Sequence, residues 1–162
     1  MKKPKFSLIT EVDPLREMIE GIDHQTLAAW AIDCAERVLP YFESAYPDDP
    51  RPRRALETLQ AWIDTGEFHM AVIRKASLDA HAAAREVGED NPTRSAARAA
   101  GQAVATAHAR THAPGAAIYA LQAIHRAGGE DVAAALSAER TWQRQRLVEL
   151  STGLKKSTIP PY

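Results

Sequence analysis

Apolar residues recur at intervals of three and four along most of the chain, which is the spacing of amphipathic helices. The first complete stripe lies between residues 24 and 46, and charged residues fill much of the opposite face. Pro40 interrupts this stripe. Because proline lacks a backbone donor and clashes with the preceding turn, we expect the helix to kink or restart there. The stripe consists of Leu27, Trp30, Ala31, Cys34, Val38, Phe42 and Ala45.

Prolines, glycines and an asparagine divide the rest of the chain into further helices. The segment YPDDPRP, residues 46–52, stops the first helix, because prolines and aspartates favour turns. Asn91 before Pro92 is a favourable helix start, since the asparagine side chain caps free amides. The further helices are expected at about residues 52–66, 68–87, 92–112, 114–127 and 130–150.

The chain contains no alternating apolar run, so the sequence predicts an all-α fold of about six helices. We expect three antiparallel helical hairpins in a bundle or a short HEAT-like stack. Proline elbows at Pro52 and Pro92, 40 residues apart, are consistent with a repeated hairpin. The length fits a single domain over residues 1–162, with an N-terminal arm at 1–23, with or without a short helix, and an extended tail at 151–162.

The second half of the chain is unusually rich in alanine, with 23 alanines among residues 76–138. Such helices bury little side-chain volume, so they pack well only if their axes approach closely. Gly101 lies inside the fourth predicted helix, where glycine costs about 1 kcal/mol relative to alanine. Its presence makes sense if a neighbouring helix crosses there. We therefore expect a core built close to the backbone.

A net charge of −1 conceals two oppositely charged parts of the chain. Residues 11–67 carry 13 acidic and 5 basic side chains, whereas the remaining residues carry 8 acidic and 15 basic ones. Segregated charge can steer a charged partner toward one region of the surface. The two parts can equally face each other inside the fold, and the sequence leaves both interpretations open.

Composition and the N-terminal sequence favour a cytoplasmic protein. Apolar residues make up 45% and charged residues 25% of the chain, which is typical of a folded globular protein. The apolar run after the basic start is far too short for a signal peptide, and no run is long enough for a membrane helix. Cys34 is the only cysteine, which fits a reducing compartment.

His108 and His112 are the best candidates for a metal site, because histidines four residues apart on a helix point in the same direction. Ala109 stands where the metalloprotease motif has glutamate, and His81, His125 or Asp79 would have to supply a further ligand. The interpretation we favour places both rings beside alanines at the end of a helix, so we predict no metal and no cofactor. Cys34 lies on an apolar stripe and is expected to be an inert core residue.

No other motif indicates catalysis or nucleic-acid binding. The chain has no nucleophile elbow, phosphate loop or dinucleotide-binding glycine pattern. The segment RTWQRQR, residues 140–146, is the nearest approach to a basic stripe, but Trp142 is expected to face the core. We therefore predict neither an enzyme nor a nucleic-acid-binding protein.

Four stretches resemble the all-helical immunity proteins of bacterial polymorphic-toxin systems, in the family named as like immunity protein five. They lie within about residues 26–125 and read WAIDCAERVLPYFE, DDPRPRRALETLQAWIDTGEF, DAHAAAREV and ARAAGQAVATAHARTHAPGAAIYALQA. The resemblance implies a cytoplasmic protein that binds a cognate toxin and blocks it. The positions matching the family pattern are Trp30, Asp33, Cys34, Glu36, Arg37, Pro52, Arg53, Trp62, His81, His108 and His112.

The corner between the first two predicted helices is the most charged part of this match. A rigid hairpin with an acidic surface near Asp48 and Asp49 is expected to engage a basic toxin, such as a nuclease, through complementary charge. Two alternatives remain: a helical scaffold or adaptor with an unrelated partner, and a metal-dependent enzyme using His81, His108 and His112. The residues predicted to bind the partner are Asp33, Glu36, Arg37, Asp48, Asp49, Arg51 and Arg53.

Overall fold

The computed structural model describes residues 14–153, and this part of the chain is built from helices. It contains eight α-helices and one 3₁₀ helix, and no strand occurs within these residues. The helices are α1 (Pro14–Glu20), α2 (His24–Glu36), α3 (Leu39–Ala45), α4 (Arg51–Thr65), α5 (Met70–Glu86), α6 (Pro92–Ala105), the 3₁₀ helix (Arg110–His112), α7 (Ala113–Ala127) and α8 (Val132–Thr152).

The all-α prediction is confirmed, but the predicted number of about six helices is wrong. One added helix is α1, a short helix in the N-terminal arm. The other arises because α2 ends at Glu36 and α3 begins at Leu39, so the chain restarts its helix near Pro40. Pro40 lies in the first turn of α3, where its missing N–H group would have had no helical partner.

Both ends of the predicted domain extend beyond the described residues. Residues 1–13 of the predicted arm and 154–162 of the predicted tail lie outside them. Within the described part, α8 continues to Thr152, so the first residues assigned to an extended tail are helical. No described helix is both long and apolar enough to cross a membrane.

α6 ends earlier than its apolar pattern predicts. It stops at Ala105, so the expected helix reaching His112 is wrong. The guanidinium group of Arg110 donates to the carbonyl oxygens of Ile19 and Ile22, at 2.9 and 2.6 Å. These contacts tie the segment after α6 to the end of α1 and redirect the chain, because a tertiary contact can outweigh helix propensity.

α6 occupies the middle of the bundle. It packs against α2, α3, α4, α5 and α7, whereas α8 packs against α2 and α7. Nine of its 14 residues are buried, and most of them are alanines, so its neighbours come close to its backbone. A Cβ atom at Gly101 would lie 2.7 Å from Nε2 of His81 on α5, which confirms the close approach expected at this glycine. The packing is that of a bundle, and the three-hairpin arrangement stays a prediction.

α2 forms much of the apolar core. Trp30 and Cys34 are both fully buried, and Phe42 on α3 is 1% exposed. Burial raises the pKa of the Cys34 thiol well above its ordinary value. The thiol therefore stays protonated at neutral pH, which agrees with the prediction of an inert core residue.

Candidate functional site

The seven residues predicted to bind a partner fall into two groups in the structure. Asp33 and Arg37 point from α2 toward α8, where they form ion pairs. The other five lie around the corner between α3 and α4, together with two further carboxylates. We call this second group the elbow, and its members are Glu36, Glu43, Asp48, Asp49, Arg51, Arg53 and Glu86.

Arg53 connects α4 to α2 and α3. Its Nε and Nη2 groups donate to the carboxylate of Glu43 at 3.2 and 2.7 Å, and its Nη1 group donates to Glu36. The hydrogen bond to Glu43, together with the charge of Glu36, raises the pKa of Arg53 above its ordinary value. The three side chains are 35% to 41% exposed, so a partner can reach them.

Arg51 connects the start of α4 to the end of α5. Its Nε and Nη2 groups donate to the carboxylate of Asp49 at 2.9 and 2.7 Å, and Asp49 also accepts the backbone N–H of Arg51 at 3.1 Å. The same guanidinium group donates to Glu86, at 3.2 Å from Nη1. Hydrogen bonding from Arg51 lowers the pKa of both Asp49 and Glu86. Both carboxylates are therefore ionised and held in place at neutral pH.

Asp48 and Tyr46 lie at the exposed tip of this corner. Asp48 is exposed and makes no ion pair within residues 14–153. The ring of Tyr46 is 41% exposed and stacks on the buried ring of Phe42, with 5.3 Å between centroids. The elbow therefore presents five carboxylates and two guanidinium groups, a net acidic surface beside a fixed aromatic ring.

Arg37 and Glu139 form a buried ion pair between α2 and α8. The Nε group of Arg37 donates to both oxygens of Glu139 at 2.9 and 3.0 Å, and Nη2 donates to Oε2 at 2.9 Å. The two residues are only 4% and 0% exposed. The guanidinium carbon also lies 4.1 Å from the ring centroid of Trp142, which faces the core as predicted. Arg37 thus joins two helices of the chain and is not accessible to a partner.

Arg146 adds a second ion pair between the same helices. Its Nε group donates to Asp33 at 2.7 Å, and its Nη1 group donates to Glu149 at 3.2 Å. Burial is the largest single influence and would lower the pKa of Arg146, but the hydrogen bonds and charges of Asp33 and Glu149 together outweigh burial and raise it. Trp30 strengthens the contact by donating from Nε1 to the carbonyl oxygen of Gln143 at 2.8 Å. Polar side chains therefore fix α8 against α2.

Sequence reasoning missed the α8 half of this network. Glu139 and Arg146 lie seven residues apart, which is two helical turns, so they share one face of α8. Asp33 and Arg37 share one face of α2 by the same rule. Interpreting residues 140–146 only as a basic stripe misses this match. Glu139 and Arg146 on α8 complement Arg37 and Asp33, so each helix contributes one acid and one arginine.

The three histidines considered as metal ligands lie near one another. His108 follows α6 instead of lying on it, so the expected helical geometry of the pair is wrong. The rings of His108 and His112 nevertheless lie 5.0 Å apart between centroids, and the charge of His112 acts on His81. Among residues 14–153, no group of three or more histidine, cysteine, aspartate or glutamate side chains is placed to hold a metal ion.

Comparison with protein families identifies the chain. The family model described as "Imm-5 like putative immunity protein" matches residues 17–150. The chain belongs to this family. The match runs from within α1 almost to the end of α8, so the resemblance found in the sequence is confirmed and extends beyond residues 26–125. Searches of curated proteins and of solved structures found no significant match.

This member of the immunity family also exposes apolar side chains on and before α5. Four side chains there are 44% to 57% exposed. Two of them, Met70 and Leu78, line a shallow depression together with Arg74 and Lys75, and exposed apolar groups that lie together are typical of contact surfaces. Sequence reasoning missed this feature because these residues lie off the apolar stripe. They are Phe68, Met70, Val72 and Leu78.

Proposed function

We propose that this protein binds a cognate bacterial toxin and neutralises it by direct protein–protein contact. It acts in the cytoplasm of the toxin-producing bacterium, as part of a polymorphic-toxin system. The observation that supports this function most is the match to an immunity-protein family over residues 17–150. The contact itself requires no catalysis and no cofactor.

The elbow is the proposed contact surface. Its five carboxylates outnumber its two guanidinium groups, and the exposed Asp48 forms no ion pair with any residue between 14 and 153. An acidic surface attracts a basic toxin domain, such as a nuclease, over a distance of about a Debye length and speeds its association. The acidic composition of residues 11–67 favours this partner chemistry.

The arginines of the elbow prepare the carboxylates for binding. Arg51 and Arg53 each hold two carboxylates that come from different parts of the chain. Groups that are already oriented lose less conformational entropy when a partner binds. Tyr46 provides a rigid ring at the same corner, and tyrosine and arginine are enriched among the residues that dominate binding energy.

Asp33 and Arg37 support this surface from inside the bundle. Arg37 directly follows Glu36, the last residue of α2, and its ion pair with Glu139 fixes the end of that helix. Asp33 fixes the same helix one turn earlier through Arg146. Their proposed role is therefore to position the elbow, while Glu36, Asp48, Asp49, Arg51 and Arg53 contact the toxin.

The first test identifies the partner. The tagged protein is captured from its native host at moderate salt, and the bound proteins are identified by mass spectrometry. A toxin domain recovered in stoichiometric amount, whose activity the purified protein inhibits, is the expected result. A host that expresses its toxins but yields an unrelated partner in stoichiometric amount would instead favour a scaffold or adaptor.

The second test locates the contact. Charge reversal by Asp48→Lys with Asp49→Lys should slow association with the toxin domain roughly tenfold or more at low salt. The matched control is Asp64→Lys with Glu67→Lys, which makes the same charge change at the far end of α4 and should have a smaller effect. An unchanged association rate in the elbow variant, together with weakened binding in Leu78→Asp, would move the contact to α5.

A further inference from the structure

A second charged group lies between α5, α6 and the segment that follows α6. His81 and Arg85 come from α5, Arg98 comes from α6, and His108 and His112 come from the segment between α6 and α7. We call these five residues the basic cluster. Arg98 hydrogen-bonds to His81, and the positive charges of Arg98, Arg85 and His112 all act on the His81 ring.

The ring of His81 packs against Gly101, which has no side chain to block it. Its Nε2, Cδ2 and Cε1 atoms would lie 2.7 to 2.9 Å from a Cβ atom at Gly101, which is closer than real side chains approach. Gly115 makes room in the same way for Gln102, whose Oε1 would lie 2.7 Å from a Cβ atom there. In helices otherwise rich in alanine, two glycines thus admit two polar side chains.

Hydrogen bonding fixes the protonation of this cluster. A guanidinium group can only donate, so Nδ1 of His81 must accept the hydrogen bond from Nη1 of Arg98 at 3.3 Å. His81 is therefore neutral, with its proton on Nε2. Nδ1 of His112 donates to Oε1 of Gln102 at 3.0 Å, which orients the His112 ring, and this ring lies tilted beside that of His108.

Few acidic side chains accompany the basic cluster. Residues 91–129 contain four arginines and three histidines but no aspartate or glutamate. The two acids of α5 have partners outside the cluster, because Asp79 pairs with Lys75 and Glu86 pairs with Arg51, although the charge of Arg85 also lowers the pKa of Glu86. The arginines of the ion pairs described above, Arg37, Arg53 and Arg146, each hydrogen-bond to a carboxylate. Arg98 instead hydrogen-bonds to the neutral imidazole of His81.

Burial and nearby positive charge both favour the neutral form of His81. Burial, followed by the charges of Arg98, Arg85 and His112, lowers the pKa of His81 to about 4. Burial and the charge of His108 also lower the pKa of His112. Groups that repel one another in fixed positions are stabilised by an opposite charge bound between them.

We propose that the basic cluster is a binding site for an anionic oxygen group, a carboxylate or a phosphate. Arg98 uses one of its five N–H donors on His81, and Arg85 is exposed on the adjacent turn of α5. Guanidinium groups bind both anions through paired, charge-assisted hydrogen bonds. This site shares no residue with the elbow, so the experiments below test it independently of the proposed toxin binding.

Inorganic phosphate and succinate are the probes that test this proposal. Each is titrated into the folded protein at constant pH and ionic strength while the NMR signals of the histidine rings are followed. The expected result is a saturable shift of the His81 and His112 signals. Saturation by phosphate alone would restrict the site to phosphate groups, whereas saturation by both anions would mean that it also accepts carboxylates, the group that an acidic side chain carries.

Charge-removing variants decide whether the cluster is responsible. Arg98→Gln should weaken binding roughly tenfold or more, since a charge-assisted hydrogen bond is lost. Arg85→Gln, at an exposed position where folding is not at risk, should weaken it as well. Arg140→Gln on α8 makes the same charge change elsewhere and should bind like the parent protein. No saturable shift with either anion, or equal affinity in all three variants, would overturn the proposal.

Discussion

The buried network between α2 and α8 and the elbow use the same chemistry in opposite surroundings. In both, an arginine joins carboxylates from different helices. Arg37 and Glu139 are 4% and 0% exposed, whereas the side chain of Arg53 is 35% exposed. In the interior, losing one partner leaves a charge without water or counter-charge, while at the surface water takes the partner's place.

This difference separates folding from recognition within one helix. Glu36 is the last residue of α2 and Arg37 follows it directly, yet Arg37 turns inward to α8 and Glu36 turns outward to Arg53. The inner pair fixes which face of α8 meets α2, and the outer pair is open to a partner. Buried ion pairs can therefore select one helix packing even where they add little net stability.

Breaking the inner pair should have the largest effect on folding. Glu139→Gln leaves the Arg37 guanidinium buried without a counter-charge, and we expect a loss of about 3–5 kcal/mol in the free energy of unfolding. Urea unfolding followed by circular dichroism measures this loss. Glu57→Gln, at an exposed position on α4, should change the free energy by less than about 0.5 kcal/mol.

Removing both charges sharpens the same test. The double variant Arg37→Met with Glu139→Leu should recover much of the stability lost in Glu139→Gln, because apolar side chains of similar size carry no uncompensated charge. A double variant that is less stable than Glu139→Gln would mean that the hydrogen bonds of the pair, and its contact with Trp142, stabilise the fold directly.

The sequence predicts the helices well but not their partners. Pro40, Asn91 and Gly66 mark helix ends correctly, because proline, cap residues and glycine act within one turn of the chain. The end of α6 is missed because Arg110 contacts the chain 88 and 91 residues earlier. Local pattern thus fixes where a helix begins, while a distant contact decides where this one ends.

The candidate sites show the same limit. The sequence identifies the charged residues of the elbow, but it does not reveal that Glu86, 35 residues after Arg51, completes one of the pairs. It also does not reveal that Arg37 pairs with a residue 102 positions later. Helical spacing shows which side chains share a face, but the helix opposite that face depends on the packing of the whole bundle.

The half-buried ion pair of Asp33 should give an intermediate effect. Its side chain is 29% exposed, and Arg146 retains its ion pair with Glu149 when Asp33 is neutralised. We expect Asp33→Asn to lower the free energy of unfolding by about 1–3 kcal/mol, the range for a hydrogen bond to a charged group. Asp64→Asn on the exposed face of α4 is the control in the same urea experiment. A loss in the free energy of unfolding as large as that of Glu139→Gln would show that the exposure of an ion pair does not determine how much its removal destabilises the fold.

The exposed pairs of Arg51 should give the smallest effect, and one that depends on pH. Hydrogen bonds from Arg51 lower the pKa of Asp49 and Glu86 below their ordinary values of 3.8 and 4.5. The folded protein therefore binds fewer protons than the unfolded chain at low pH. The resulting contribution to stability is fully present above the ordinary pKa values, and it is lost as the pH falls through the lowered pKa values of the folded protein.

Arg51→Gln should consequently destabilise the protein less than Asp33→Asn at neutral pH. The difference between the variant and the parent protein should shrink as the pH falls below the ordinary carboxyl range, and added salt should also reduce it. Thermal unfolding at a series of pH values measures both trends. A difference that is independent of pH and salt would mean that Arg51 stabilises the corner by packing, and the elbow would then resemble the buried network more than its exposure indicates.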